Sequence, residues 1–517
     1  MTSARLLDLL ALSLGAGLLG ALLFPWWRPE EIVLAILGVV SLRLLVRPWT
    51  IPAWRPRRVV AVGVATYGLL FSFVTVTRHN TFLTHALDLG YYVQLVWNLA
   101  GGRGPRVSLP EMHAWGDHFS PIMYLFVPAF WVAPGAVALL VAQSVLLALG
   151  AVAVFGIARR RLGDERPAAA FAVLYLVNPS LHGINVRDFH AAALVIPLLL
   201  AAVWAVEAER PLWACGAAGL ALLCREDAAI AVVGLGLWVA LARRLWFWGA
   251  GMAAGALGIL LVEVRWLIPG YRGEAYSHLW RYDHLGRSLP EILSTVLLHP
   301  IRTVTRLATL QRLVYLGALV APLGLLPLAA PLAAVGALPG LAQNLLSRDP
   351  VLFHHRTQYQ AFVLPFLFVA AVAGYARLAA RRPGRLPAAV LVVAMVASLA
   401  LASRTANQLA VYRFWPTPEQ RAAHRLLAKV PAGAAVSAQD PYVPHLAMRP
   451  LVFVFPMGLE KSDHVLVNAT TYPWRSLPGA TMVREERTVR IRLSLGAPDY
   501  RYVVVAEDGP HLLLRRR

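Results

Sequence analysis

Apolar stretches recur along the first four-fifths of the chain, each near the roughly 20 residues a helix needs to cross a bilayer. The clearest run over 5–24, 58–77, 135–158 and 245–268. Shorter ones fall at 31–46, 167–180, 191–206, 211–224, 228–242, 313–329, 331–346, 359–376 and 386–403. Together they predict about 13 transmembrane helices and a mainly α, polytopic membrane protein. After Pro416 the apolar spans stop. Residues 418–430 read as an amphipathic helix with Thr417 as N-cap and Pro418 in its first turn. Strands are expected at 434–438, 451–455, 464–468, 501–506 and 511–515, with a helix at 481–492. The expected organisation is a transmembrane helical domain over 1–403, with large loops at 78–134 and 269–312, followed by a small α/β domain over 404–517. Within the first loop, 86–100 reads as an interfacial helix anchored by Tyr91, Tyr92 and Trp97. Residues 119–132 are apolar but short and hold Pro121 and Pro128, as expected of a second interfacial or re-entrant segment.

Charge adds an orientation. The net charge is +21, and Lys429 and Lys461 are the only lysines. Arginines cluster at 47–58, 159–166 and 377–385, between spans of one parity. The loops of the other parity hold Asp88, Asp117–His118, Asp188–His190, Asp283–His284 and His354–His355. The positive-inside rule makes the arginine loops and the N-terminus cytoplasmic and the C-terminal domain extracytoplasmic. The same placement accounts for the basicity without nucleic acid. The Arg, Ala, Leu and Gly bias suggests a prokaryotic cell membrane. Cys215 and Cys224 lie nine residues apart in one span, on opposite sides of a helix, so they do not pair and read as small core residues. An Asn468-Ala-Thr match to a glycosylation acceptor reads as coincidence in that setting.

The chemistry falls on the face of the Asp and His loops. Asp88 lies just beyond the third span, where a carboxylate can act as general base on an incoming hydroxyl or simply favour a helix N-terminus. Arg225, Glu226 and Asp227 interrupt an apolar stretch. They either close a self-paired polar turn or wall a binding cavity. The pairs Asp117–His118 and Asp188–His190 combine carboxylate and imidazole, as metal sites and proton relays do. His354, His355 and Arg356, with Tyr359, precede a span in a manner suited to phosphate, or to anchoring the span end.

Seven blocks occur in order: HALDLGYYVQLVWNLAGGRG, DHFSPIMYLFVP, NPSLHGINVRDFHAAAL, CREDAAI, HHRTQYQAFVLPFLFVAA, VSAQDPYVPHL and VFVFP. In these the chain resembles the domain of unknown function 2079 family of prokaryotic multi-pass membrane proteins. That family is in turn similar to GT-C fold glycosyltransferases, which carry an acidic residue in the first external loop. The resemblance implies transfer of a sugar from a polyprenyl-phosphate-linked donor to an acceptor (glycan, lipid or protein) on the external face. The first-loop carboxylate of those enzymes matches Asp88 by position, with Asp117 as the second choice, which implies Asp88 as catalytic base and Arg225, His354, His355 and Arg356 beside the leaving phosphate. Glu226, Asp227, Asp188, His190 and Tyr359 would contact substrate, and Asp117 with His118 would hold a divalent metal (Mg or Mn). Many such enzymes have adjacent acids where this chain has a lone Asp88. The alternative is a transporter or lipid-handling protein without covalent chemistry. Transport folds place their sites at the midplane within internal repeats, and this chain shows no repeat.

Overall fold

A computed structural model describes residues 3–25, 27–46, 54–470, 480–493 and 499–517; Arg47 of the first arginine cluster lies outside them. Among the described residues, seven helices are long and apolar enough to cross a membrane: Ser3–Leu23, Pro56–Asn80, Ala136–Leu162, Glu165–Val186, Trp246–Arg272, Leu364–Arg381 and Arg385–Leu409. Shorter apolar helices, Ala191–Glu207, Pro211–Leu222, Ala228–Arg243, Leu310–Leu323 and Pro331–Leu346, stand at other expected positions, and the expected span at 31–46 is the helix Pro29–Val46, which is not among the seven. Proline accounts for several of the breaks. In Glu165–Val186, Pro179 cannot donate to the helix, and the Asn178 side chain restarts the turn by accepting from the N–H groups of Ser180 and Leu181.

The middle of the bundle is formed by Ala136–Leu162, Glu165–Val186 and Leu364–Arg381, most of whose residues are buried. The Tyr175 hydroxyl donates to the Leu147 carbonyl at 2.8 Å, and its ring lies over Gly150, where a side chain would collide with it. Ser3–Leu23 lies at the rim and exposes Leu6, Leu9, Leu12 and Leu19, as a lipid-facing helix does. Cys215 also faces outward, unlike the core position expected for it, while Cys224 is buried.

The two ends of the bundle differ. At one end, Arg57 pairs with Glu165 at 2.7 Å and Arg161 with Glu207 at 2.5 Å. The opposite end carries Asp88 and the C-terminal sheet. A two-stranded hairpin, β1 (Arg106–Ser108) and β2 (Glu111–His113), bridges to that sheet: the Ser108 hydroxyl donates to the Val452 carbonyl at 2.7 Å.

Among the described residues the sheet has seven strands: β3 (Val436–Ala438), β4 (Val452–Val454), β5 (His464–Asn468), β6 (Ala480–Glu485), β7 (Thr488–Leu493), β8 (Tyr500–Asp508) and β9 (His511–Arg516). Their order is β4-β3-β5-β9-β8-β7-β6, with β3 parallel to β4 and β5 and the other pairs antiparallel. Helix Pro418–Leu427 packs beside it, closed by a reciprocal capping box between Thr417 and Gln420.

Two further expectations are corrected. Residues 481–492 form the β6–β7 hairpin, not a helix; Val489 and Ile491 alternate inward with Arg490 and Arg492 outward, a period of two. Residues 86–100 are not an interfacial helix. The segment is a π-type turn, Ala86–Gly90, leading into helix Tyr91–Ala100, of which Tyr91 to Val96 are all buried. The hairpin and the C-terminal sheet cover the face that the sequence pattern leaves to the membrane surface: the Gln94 amide donates to Ser108 Oγ and to the Arg449 carbonyl, at 2.9 and 3.0 Å.

Candidate functional site

Asp88 sits on the Ala86–Gly90 turn with its side chain 45% exposed, so solvent reaches it. Its Oδ1 lies 3.1 Å from Nε2 of the buried His190, whose other ring nitrogen is buried without a hydrogen-bond partner. The 187–190 loop is held from below by Gln143. That amide accepts the His190 N–H at 2.9 Å and donates to the Asp188 carbonyl at 2.8 Å. Asp188 has a φ of +73°, which Asp tolerates better than most residues. Its Oδ2 accepts the His85 N–H at 2.9 Å. From the C-terminal domain, Asp440 accepts the Ala86 N–H at 2.9 Å and meets His85 Nδ1 at 2.7 Å. Two loops of the bundle and one turn of the C-terminal region thus fix the Asp88 backbone.

Electrostatics separates the two bundle carboxylates. Burial opposes ionisation of Asp88, but His190, His85 and Arg187 outweigh it and hold the group below its ordinary range. Asp188 is pushed up to about 6, chiefly by burial, with Asp88 adding to the rise.

Beside Asp88 lies a concentration of positive charge. His354 and His355 stack with ring centroids 5.2 Å apart, and the groups acting on them are Arg187, Arg356 and Arg404. Burial first, then His354, Arg356 and Arg404, push His355 down to about 4; burial, then Arg187, Arg356 and Arg404, lower His354, leaving both imidazoles neutral at neutral pH. The arginines therefore supply the charge. Arg356 Nη1 is buried without a partner. Arg187 also lies within electrostatic reach of Asp88, so the cationic group and the carboxylate are neighbours.

A second polar group lies beyond Tyr92, whose ring meets Phe189 edge-on at 5.2 Å and feels both Asp88 and Arg225. Arg225 is committed to Asp227 by two hydrogen bonds of 2.6 and 2.5 Å, and its guanidinium faces the rings of Tyr359 and Phe362. Gln343 donates to the same Asp227 at 3.0 Å. Glu226 accepts from His118 Nδ1 at 2.8 Å, from the Phe119 N–H at 3.2 Å and from the Tyr276 hydroxyl at 3.0 Å. The His118 ring stacks on His278, with centroids 4.5 Å apart and planes nearly parallel. Asp117, His118 and His278 each offer a ligand atom within 4.8 Å of the others.

The residues singled out in the sequence therefore fall into two neighbouring groups. Asp88, Asp188, His190, His354, His355 and Arg356 form one; Asp117, His118, Arg225, Glu226, Asp227 and Tyr359 form the other. Asp283 stands apart, half exposed and paired with Arg348 at 2.6 Å. Sequence reasoning passed over Arg187, Arg404 and Asp440. For the arginines there was a signal: they lie on the face that the topological clusters leave poor in arginine.

The profile of the family described as "predicted membrane protein (DUF2079)" matches residues 78–507. The chain belongs to this family. None of the curated proteins matches it in sequence. Among solved structures it is similar to ArnT from Cupriavidus metallidurans bound to undecaprenyl phosphate, with 15% identity, a TM-score of 0.52, and coverage of 88% of this chain and 97% of that one. ArnT from the same organism in the apo state gives 15% identity, a TM-score of 0.50, and coverage of 87% and 98%. The Archaeoglobus fulgidus oligosaccharyltransferase in the apo form gives 12%, 0.47, 79% and 66%. At these identities the likeness to ArnT is one of fold, the GT-C fold.

Proposed function

We propose that the protein is an integral-membrane glycosyltransferase that moves a sugar from a polyprenyl-phosphate donor to an acceptor on the external face. The observation that carries this reading is the pairing of an ionised, solvent-reachable Asp88 with a neighbouring arginine group that includes a buried, unpartnered guanidinium nitrogen. In the proposed step an acceptor oxygen attacks the anomeric carbon as Asp88 takes the hydroxyl proton. The bond from that carbon to the phosphate oxygen breaks, and the lipid phosphate leaves with its charge balanced by Arg187, Arg356 and Arg404. The undecaprenyl phosphate named with ArnT is a lipid of this class. Arg225 takes a structural part in this reading, because Asp227 already neutralises it. Transport is less well supported, since the polar groups gather at one end of the bundle.

Asp117, His118 and His278 fit a divalent cation. His278 Nε2 is buried without a hydrogen-bond partner, and Glu226 holds His118 from behind, as an outer carboxylate orients a metal-binding imidazole. Two imidazoles and one carboxylate suit Mn or Zn better than Mg. When bound, such an ion would supply positive charge near the donor. The external orientation of Asp88 and of the C-terminal domain belongs to the same proposal and rests on the arginine bias of the opposite end.

The test uses purified protein in liposomes with polyprenyl-phosphate hexoses as donors. Asp88→Asn is expected to lower turnover at least about 100-fold while retaining undecaprenyl phosphate. Arg356→Gln with Arg404→Gln is expected to lose the lipid. Undiminished turnover by Asp88→Asn would sink the assignment.

A further inference from the structure

At the end of the bundle away from Asp88, helices Ala136–Leu162, Val195–Glu207 and Pro211–Leu222 enclose a cavity of about 660 Å³. Its walls are apolar and aromatic, with Trp204, Trp213 and Leu220, and its lining includes Arg159, Arg160 and Arg210. Trp204 is set by a glycine: its indole lies against Gly156, where any side chain would collide with it. Trp213 is 73% exposed and the adjoining Leu212 80%, so the apolar wall continues onto the outer surface of the bundle. Arg159 has a partner, Glu165 at 3.4 Å. Arg160 and Arg210 pair with no carboxylate among the described residues.

A topological signal needs only solvated charge in a loop. These arginines instead line a preformed hollow whose remaining wall is hydrocarbon and indole. A soluble phosphate would meet the guanidinium groups and leave the apolar wall wet. A zwitterionic lipid would cover the wall and oppose its own cation to the arginines. An anionic head on a hydrocarbon body satisfies both. We propose that this cavity binds an anionic phospholipid of the adjoining leaflet, its phosphate between Arg160 and Arg210 and an acyl chain along Trp204, Trp213 and Leu220. Basic pockets between transmembrane helices recognise lipid head groups in this way. The site is independent of the transfer chemistry proposed above.

Native mass spectrometry of the full chain, released from nanodiscs of mixed phosphatidylglycerol and phosphatidylcholine, reads retained lipid directly. Wild-type protein is expected to keep phosphatidylglycerol in preference to phosphatidylcholine, and excess inorganic phosphate is expected to leave it in place. Arg160→Gln with Arg210→Gln should weaken retention by roughly 30-fold, about fivefold for each surface arginine. Arg381→Gln with Arg382→Gln removes equal charge outside the cavity and should retain the lipid. Both arginines of the first pair are exposed, so the melting temperature is expected to stay unchanged. Equal retention by the two double variants, equal retention of phosphatidylcholine, or displacement by free phosphate would each overturn the proposal.

Discussion

Asp88 and Asp188 show how two acids in one loop system diverge. Asp88 faces an imidazole and solvent; Asp188 faces a backbone N–H and a like charge. The folded pKa of Asp188, about 6, stands above the ordinary 3.8, so the folded state holds its proton more tightly than the unfolded chain. Stability from this group is present below about pH 4 and is lost as pH rises through 6, a difference worth roughly 3 kcal/mol at neutral pH. Asp188→Asn keeps an acceptor for the His85 N–H and removes the charge. Its melting temperature is expected to exceed that of the wild type at pH 7, with the gap closing as pH falls toward 4; a gap that ignores pH would contradict the assignment. At the second polar group, His278→Ala should abolish stoichiometric Mn or Zn uptake measured by elemental analysis, while leaving undecaprenyl phosphate bound. Residue types and their sidedness let the sequence point to Asp88, His354 and Arg356. Arg404 escaped because an arginine just past an apolar span resembles an anchor until the fold brings Arg187 and His355 beside it.

Among the elements, the Ala86–Gly90 turn and helix Tyr91–Ala100 changed most between sequence and structure. Hydrophobic periodicity marked the segment as helical, but periodicity does not name the surface that covers it. Here that surface includes Ser108 on β1, Arg449 on the segment before β4 and Asp440 on the loop after β3. The helix Pro418–Leu427 was legible because its capping box is local. The hairpin β6–β7 was not, since its run of Arg and Glu suits a helix until pairing with β8 buries Val489 and Ile491. Asp440 ties the C-terminal sheet region to the Asp88 turn, so its loss should affect rate more than binding. Asp440→Ala is expected to cost about 1 kcal/mol, as loss of a capping acceptor does, and to lower kcat with little change in the donor KM. Asp440→Asn, which can still accept the Ala86 N–H, should recover part of the rate. Equal losses in kcat and donor binding would argue against a positioning role.

At the scale of the molecule, alternation of apolar spans and loop charges conveyed the polytopic architecture and the sorting of its ends. It did not convey which helices pack centrally, because lipid and protein interior are equally apolar to a sequence. The orientation can be read by labelling. In a Cys215→Ser background, Lys461→Cys should react with a membrane-impermeant maleimide in intact cells, whereas Arg381→Cys should react only after permeabilisation; the reverse pattern would invert the proposed topology. The bond between His85 and Asp440 joins groups 355 residues apart. During synthesis the Asp88 turn emerges early and waits, without its last support, until the 355 residues that separate His85 from Asp440 have been made. The order of translation thus becomes a safeguard: an interrupted or misinserted chain carries its acid but not the clamp that aims it.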